Sequence, residues 1–518
     1  MRSKWPPEEA PVNIPLERDK PVPLTRQIQA HLERLIADGL LAPGVKLPAT
    51  RELAHTLGVN RATVALAYEE LVASGLARAH VGQGTFVNEG RASRGAARPP
   101  VAPARLDWSA LLSRSARIIS ADEERRRAFG TGNGTHGSVI SFAGGMPDSA
   151  LFPTDAFRRV LNQVVREEGE SLLQYSSVGG YTPLRRYLAG YLLRFGVEAR
   201  TEEILIVNGS QQGFDLIART LVDPGDVIAI EQPTYARAMQ AFRSFGARLL
   251  PVEWDVTGPR PEVFERLCER QAPKMFYCQP SGHNPSGLTM EPEVGRRLLA
   301  AAARYQVPIV EDGFDGSLYY GARPGSPLKA ADRAGVVIYI GTFSKILFPG
   351  LRLGWLVAPP AIVERLQDAK QLADLHSSAL LQAAVHRFCE GRLLDRHISR
   401  VAAEYGRRRS LLLASLRRRM PDDVTWTEPQ GGFSLLLTLP AGLEATALLP
   451  LALERGVSFS PGPAFFLDGN GERALRLAFS SVTGGRIDEG VKRLAEAIKT
   501  MRRQPRPRRT DHELVPVV

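Results

Sequence analysis

The chain has 518 residues, of which 44% are hydrophobic and 23% charged, values that are ordinary for a folded protein of more than one domain. Its net charge of +11 favours a polyanionic partner, and its three widely spaced cysteines form no zinc or disulfide pattern. We find neither a signal peptide nor an apolar stretch of about 20 residues, so we expect a cytoplasmic protein without membrane contact or metal site.

Changes in composition divide the chain into segments. Proline and charged residues dominate its start, and arginine, alanine and proline are enriched within residues 89–137. The predicted segments are a flexible arm (1–23), a compact unit (24–88), a linker (89–137) with a weak helix near Trp108–Ile119, an α/β region (138–501) and a basic disordered tail (502–518).

The compact unit is predicted to hold three helices and a hairpin. Apolar residues recur at helical spacing, and Thr50 and Asn60 are candidate N-caps of the second and third helices. Gly58 separates these two helices by a tight turn, which is the helix-turn-helix pattern. The short apolar runs within 76–87 predict a hairpin, or wing, behind the third helix.

Several basic and small residues lie where such a unit meets DNA. The N-terminal end of the third helix normally enters the major groove, flanking basic residues meet phosphates, and wing glycines let the backbone approach the minor groove. The candidate DNA contacts are Arg51, Arg61, Thr63, Lys46, Gly82 and Gly84. The helix pattern by itself fits a three-helix interaction module with solvated charges equally well.

Three motifs of this unit resemble the winged helix of the GntR family. They are Leu47–Ala54, Val59–Val64 and Gly82–Val87. The resemblance implies binding of double-stranded DNA, with contacts from Arg51 and Arg61 and from Thr63.

Residues 138–501 alternate β-branched runs with helical patterns, which predicts an α/β fold with a parallel sheet. Polar residues follow the strand-like runs, and ligands of such sheets bind beyond the carboxyl ends of the strands. A lysine amine, an aspartate and an arginine at three such exits can hold the aldehyde, the pyridinium nitrogen and the phosphate of pyridoxal phosphate. These are Lys345, Asp312 and Arg352.

Further residues fit the same cofactor. Asn284 can donate to the ring phenolate and Tyr235 can stack on the ring, while a turn at a helix N-terminus offers free N–H groups to the phosphate. The additional candidates are Ser210 and Gln211 in that turn, and Thr342 and Ser344 as hydroxyl donors. Singly, a loop lysine is usually a solvated surface residue, and the ordered set is what departs from that reading.

The stretch from about Ser141 to Ser480 resembles the fold type I aminotransferases, a pyridoxal-phosphate-dependent transferase fold. It implies a large, mostly parallel α/β domain (176–360) and a smaller α+β domain (361–501 with 138–175). The resemblance also implies that Arg476 holds an α-carboxylate, that Gly145 lies at the substrate, and that Tyr175 reaches the cofactor of the neighbouring subunit in a homodimer.

One position departs from that family. A tyrosine usually lies two residues after the aspartate, and here the residue is Phe314. Losing its hydroxyl is expected to raise the pKa of the aldimine or to loosen the ring, which makes efficient transamination less certain.

Together, the two halves resemble the MocR (GabR-like) subfamily of regulators. The resemblance implies a transcriptional regulator that binds a DNA operator and senses an amine or amino acid by aldimine exchange at Lys345, in a dimer that can exchange its winged helices. The alternative is an active class I aminotransferase, with 2-oxoglutarate as acceptor and an accessory winged helix. The effector, the sign of regulation and the target genes are not encoded in any motif.

Overall fold

The computed structural model of the chain describes residues 14–18, 22–80, 84–88, 106–128, 139–313, 317–321, 325–467 and 470–503. The chain forms two compact units, Met1–Asp107 and Trp108–Val518. The predictions for Gly82, Phe314 and residues 504–518 lie outside the described residues. The predicted disordered tail begins at residue 502, but Arg502 and Arg503 are the last two residues of the helix Gly484–Arg503.

The first unit contains three helices and a two-stranded sheet. They are α1 (Leu24–Ala37), α2 (Thr50–Leu57), α3 (Arg61–Ala73), β1 (Ala77–His80) and β2 (Gly84–Val87). The strands pair antiparallel, with Ala77 opposite Val87. Ile28, Leu32 and Val64 are fully buried between the helices, so one apolar stripe from each long helix builds the core.

Local signals set the helix boundaries of this unit. Gly58 ends α2 in the left-handed region at φ +60°, where a side chain would be strained. The Asn60 side chain accepts a hydrogen bond from the Ala62 amide and caps α3, as predicted. The prediction for Thr50 was wrong, because Ala49 occupies the N-cap of α2 and Thr50 is its first residue.

The second unit alternates helices and strands along most of its length. Its helices are α4 (Arg114–Ala128), α5 (Thr154–Leu172), α6 (Thr182–Leu193), α7 (Ser210–Leu221), α8 (Ala236–Ser244), α9 (Pro261–Gln271), α10 (Pro292–Tyr305), α11 (Leu328–Ala331), α12 (Phe343–Ile346), α13 (Pro360–Asp374), α14 (Ala379–Glu390), α15 (Leu393–Arg419), α16 (Ala445–Glu454) and α17 (Gly484–Arg503). Its strands are β3 (Ile140–Ser141), β4 (Ile204–Val207), β5 (Val227–Gln232), β6 (Arg248–Glu253), β7 (Met275–Cys278), β8 (Ile309–Asp312), β9 (Val337–Thr342), β10 (Gly354–Val357), β11 (Thr425–Trp426), β12 (Ser434–Thr438), β13 (Val457–Ser458), β14 (Ser460–Pro461) and β15 (Ala474–Ala478).

Seven strands form the central sheet, in the order β4-β10-β9-β8-β7-β5-β6. Neighbouring strands from β9 to β6 run parallel, while β10 is antiparallel to both β9 and β4. The carboxyl ends of β4, β5, β7, β8 and β9 therefore share one edge with the start of β10. The predicted site residues that follow these strands converge there for this reason.

Both faces of the sheet are covered, which explains why its strands are continuously apolar. On β4, Leu205 and Val207 join one hydrophobic cluster, and Ile204 and Ile206 join another on the opposite face. Among the described helices, none combines the length and apolarity that crossing a bilayer requires.

A second, four-stranded antiparallel sheet has the order β11-β12-β15-β14, and the long helices α15 and α17 pack against each other beside it. The predicted weak helix near Trp108–Ile119 lies further along the chain, since α4 spans Arg114–Ala128 and packs on α8.

Candidate ligand site and nucleic-acid interface

A cavity of about 260 Å³ lies at the polar edge of the central sheet. It is lined by seven of the residues predicted from the sequence: Gly145, Ser210, Tyr235, Asn284, Asp312, Lys345 and Arg476. They come from seven separate segments of the chain, and Arg476 reaches the cavity from the middle of β15.

Lys345 lies on α12, a single turn that directly follows β9 in the chain. The Thr342 hydroxyl accepts a hydrogen bond from the Ser344 amide and caps this turn. Lys345 Nζ donates to the carbonyl oxygen of Gly145 at 3.2 Å and lies 5.9 Å from the centre of the Phe433 ring. The amine is thereby directed into the cavity across the sheet edge.

Asp312 is a buried carboxylate at the end of β8. Burial raises its pKa to about 6, against the opposing effects of hydrogen bonds and of the positive charge of Lys345. The Tyr277 hydroxyl and the Gln279 amide donate to Oδ2, at 2.9 and 2.8 Å. Among the described residues, no donor reaches Oδ1, so this oxygen can accept a hydrogen bond from a ligand.

Arg476 and Asn284 are hydrogen-bonded to each other at the cavity wall. Arg476 Nη1 donates to Asn284 Oδ1 at 3.0 Å, and Nη2 donates to the Ala143 carbonyl at 2.8 Å and to the Ser460 hydroxyl at 3.2 Å. Arg476 Nε is buried without a hydrogen-bond partner in the described structure, and burial lowers the pKa of the guanidinium to about 10. A buried cation held only by neutral groups is a site for an anion.

The assigned orientation of Asn284 also matters for the cavity. Because its side-chain oxygen accepts from Arg476, its Nδ2 is left to donate elsewhere. Tyr235 is the N-cap residue of α8, and burial raises its phenol pKa. Its ring is therefore a neutral, partly buried aromatic face at the cavity wall.

The end of the site near α7 is shaped by glycine. Gly209 has φ +82° and precedes Ser210, the first residue of α7. The Arg352 guanidinium lies directly against Gly209, since an added Cβ would come within 2.8 Å of Nη2. Arg352 Nη2 also donates to the Asn208 carbonyl at 3.0 Å. The N–H groups of the first α7 turn and this guanidinium form a cradle for an anion.

Five predicted residues do not line the cavity. Arg352 is exposed beside Gly209, Gln211 is exposed on α7, and Thr342 and Ser344 are buried in the cap of α12. The Tyr175 side chain is 77% exposed, with its ring edge-on to His376 at 5.8 Å between centroids.

Sequence reasoning missed other cavity residues, among them Arg237, Gln279, Phe433 and Phe465. Arg237 and Gln279 each lie within a few residues of a predicted one, at the exits of β5 and β7, and that proximity was the available signal. Phe433 and Phe465 carry no local signal, because distant strands bring them to the cavity.

Arg237 connects the cavity to α4, which lies in the predicted linker. Its Nη1 donates to Gln240 Oε1 at 3.0 Å and lies 3.5 Å from Glu123 Oε2. Six residues further along α8, Arg243 pairs with the buried Asp122 of α4 at 3.7 Å. The helix α4 is thus attached to the helix that begins at the cavity wall.

The basic residues of the first unit have a different setting. Arg51 and Arg61 are exposed at the start of α2 and α3, and Thr63 is partly buried. Lys46 is bridged to Phe86 of the wing, and its side chain covers Gly84, where an added Cβ would lie 2.9 Å from Lys46 Cε. The structure therefore groups Lys46 with the hairpin and the two arginines with the helix N-termini.

The residues of the cavity fit pyridoxal phosphate. An amine, a buried carboxylate with a free oxygen, an amide donor and an aromatic face surround one small cavity, and the glycine turn beside it presents helix N–H groups and an arginine. The buried Arg476, whose Nε has no hydrogen-bond partner among the described residues, adds a place for a carboxylate on a second molecule.

Comparisons with known proteins agree with both units. Residues 139–494 match Aminotransferase class I and II, and residues 24–87 match Bacterial regulatory proteins, gntR family. The crystal structure of LysN, an α-aminoadipate aminotransferase from Thermus thermophilus complexed with N-(5'-phosphopyridoxyl)-L-leucine, has a TM-score of 0.71 and 36% identity, covering 76% of this chain and 99% of that chain.

Two curated relatives differ in how much of the chain they match. Aromatic-amino-acid aminotransferase 1 of Thermococcus litoralis is 39% identical over 70% of this chain and 88% of its own length. The probable rhizopine catabolism regulatory protein MocR of Rhizobium meliloti is 33% identical over 93% of this chain and 95% of its own length. The chain belongs to the MocR/GabR-like subfamily of GntR transcriptional regulators, which join a winged helix-turn-helix to an aminotransferase domain with pyridoxal phosphate as cofactor.

Proposed function

We propose that the protein is a regulator that binds an operator through residues 24–88 and changes its DNA binding when an amine or amino acid enters the Lys345 cavity. The observation that carries this proposal is the buried Arg476, whose partners are neutral, next to the Lys345 amine. A DNA target also places the protein in the cytoplasm.

Each side chain has a defined task toward the cofactor. Bound pyridoxal phosphate supplies an aldehyde that condenses with primary amines and a ring that withdraws electrons when its nitrogen is protonated. Asp312 Oδ1 would accept from that nitrogen, and Asn284 Nδ2 would donate to the phenolate. The α7 N-terminus at Ser210 and Arg352 would hold the phosphate. Gln211, Thr342 and Ser344 support that turn and the α12 turn.

Arg476 selects the class of effector. A guanidinium that is buried among neutral acceptors gains most from a ligand carboxylate, because water does not screen the pair. Lys345 marks the place of the amine, and Gly145 lies between the two groups. An amino acid satisfies both ends, whereas a simple amine leaves Arg476 without an anion.

Coupling to DNA requires that the effector bind two conformations unequally. We place this change in the closing of the small domain (361–501 with 138–175) on the large domain (176–360), since Arg476 belongs to the small domain. Tyr175 is proposed to reach the site of the second subunit in a homodimer, in which the winged helices can be exchanged.

An active aminotransferase with 2-oxoglutarate as acceptor is the second candidate. The 39% identity to an aromatic-amino-acid aminotransferase favours it, because the cavity carries the residues that such chemistry needs. Phe314 in place of a tyrosine and the similarity to MocR over 93% of the chain favour the regulator.

Gel retardation of the upstream DNA by the full-length protein tests this function. We expect retardation that changes with added amino acid, together with a visible absorbance band of bound pyridoxal phosphate. Lys345→Ala should remove the covalent band and the response while DNA binding remains. Rapid turnover of 2-oxoglutarate without DNA binding would establish the enzyme instead.

Arg61→Ala tests the proposed DNA contacts separately. Losing a contact from the N-terminus of α3 should weaken DNA binding about tenfold and leave the cofactor absorbance unchanged. Arg34→Ala, which removes an exposed arginine near the end of α1, is the matched control. Equal DNA affinity of the two variants would remove Arg61 from the proposed interface.

A further inference from the structure

We propose that Gln279 is a positioning residue that holds Asp312 and Asn284 in the one arrangement that grips the cofactor ring. This inference rests on the proposed roles of those two side chains. Gln279 follows β7 directly and is fully buried at the cavity wall.

The Gln279 side chain uses both of its polar atoms. Nε2 donates to Asp312 Oδ2 at 2.8 Å, and Oε1 accepts from the Asn284 backbone amide at 3.1 Å. Asp312 ends β8, and Asn284 lies in the loop that follows β7. The side-chain amide of Gln279 therefore connects two segments that are proposed to contact different polar groups of the ring. Only a group that both donates and accepts can make this connection.

The connection also decides which carboxylate oxygen faces the ring. Tyr277 and Gln279 both donate to Oδ2 of Asp312, and this fixes the rotation of the carboxylate about its last bond. Oδ1 is then held toward the cavity. With Tyr277 as the only donor, the carboxylate would keep that rotational freedom and would lose it again on binding.

Glu231 anchors the backbone from which this side chain projects. The backbone N–H of Gln279 lies 3.0 Å from both carboxylate oxygens of Glu231, which is fully buried on β5. The Thr234 hydroxyl and the His283 ring approach Oε1 at 3.4 and 3.5 Å. Three strands, β5, β7 and β8, are therefore connected through one residue.

Two variants test the inference. Gln279→Met keeps the length of the side chain and removes both hydrogen bonds, so we expect pyridoxal phosphate to bind about tenfold more weakly, as measured by absorbance titration of the full-length protein. Gln271→Met, at the exposed end of α9, should bind like wild type. Equal affinity of Gln279→Met and wild type would overturn the inference.

The second variant separates positioning from simple core stability. In Gln279→Glu the new carboxyl can donate to Asp312 only while it is protonated, and its anion repels Asp312. Cofactor affinity should therefore approach that of wild type in acid and fall as the pH rises, relative to wild type at each pH. The titratable groups around the position are Asp312, Glu231, Tyr277, His283 and Lys345, all of which the wild type shares.

The outcomes are distinguishable. An affinity difference between Gln279→Glu and wild type that does not change with pH would reduce Gln279 to a packing residue, whatever the fate of Gln279→Met. If the wild-type protein shows no absorbance band with pyridoxal phosphate, the proposed site itself fails. A band in wild type with unaltered binding in both variants refutes only the role of Gln279.

Discussion

Burial shifts the pKa values of individual side chains at this site away from their values in water. Burial raises the pKa of Asp312 to about 6 and lowers that of Arg476 to about 10. His283 stays neutral, because burial lowers its pKa to about 3, and its ring stacks on Trp254 at 3.9 Å between centroids. Fixed dipoles and buried charges replace water here, so a ligand meets groups that are already oriented.

Replacing Asp312 should reveal the cost of this arrangement. A carboxyl whose pKa is raised on folding stabilises the fold fully below its unfolded pKa, and that contribution is lost as the pH rises through about 6. Asp312→Asn has no such titration. Between acid and neutral pH, the free energy of unfolding of the cofactor-free variant should therefore rise by roughly 3 kcal/mol relative to that of wild type. Denaturant unfolding at several pH values measures it.

The same variant should bind pyridoxal phosphate more weakly, because a neutral amide does not keep the ring nitrogen protonated. Parallel stability curves for Asp312→Asn and wild type across the pH range would show that Asp312 is not the titrating group.

At the level of elements, the contact between α4 and α8 links the predicted linker to the cavity. Arg237 and Arg243 on α8 face Glu123 and Asp122 on α4. Arg243 also donates to the Leu467 carbonyl at 3.1 Å, close to the cavity residue Phe465. The cavity wall is therefore in contact, through α8, with a helix of the predicted linker.

Breaking this contact should uncouple the effector from DNA. The double variant Asp122→Asn with Glu123→Gln removes both ion pairs and leaves the cavity side chains in place. We expect cofactor binding to be unchanged and the change in DNA affinity on adding an amino acid to shrink about fivefold or more.

Glu262→Gln is the matched control, since Glu262 pairs with Arg297 at 3.6 Å in a half-exposed surface pair. A full response in the double variant would mean that α4 carries none of the coupling. Gel retardation with and without the amino acid measures both proteins.

For the whole molecule, the exposed apolar surface favours assembly. Leu173 and Tyr175, which follow α5 in the chain, are 74% and 77% exposed, and Leu372 on α13 is 91% exposed. The proposed subunit interface would cover large apolar side chains of this kind. They agree with a homodimer in which Tyr175 acts outside its own subunit.

Mixing two defective variants tests this assembly. If Tyr175 serves the neighbouring site, a dimer of one Lys345→Ala subunit and one Tyr175→Ala subunit has one doubly defective site and one intact site. Mixed dimers should regain about half of the high-affinity cofactor sites that wild type has, while each variant by itself has none or weak sites. Absorbance titration of co-expressed subunits measures it, and failure to regain any site would place Tyr175 in its own subunit or outside the site.

The sequence by itself determined the two units, the helix-turn-helix with its hairpin, and seven of the residues that line the cavity. It could do so because strand exits are local features, and parallel strands bring their exits to one edge. Tertiary structure alone decided which candidates share the cavity, so that Arg476 lines it while Arg352 lies exposed beside Gly209. The ties of Gln279 to Asp312 and of α4 to α8 were also decided there, because contacts between distant segments leave no periodic or compositional signal in the chain.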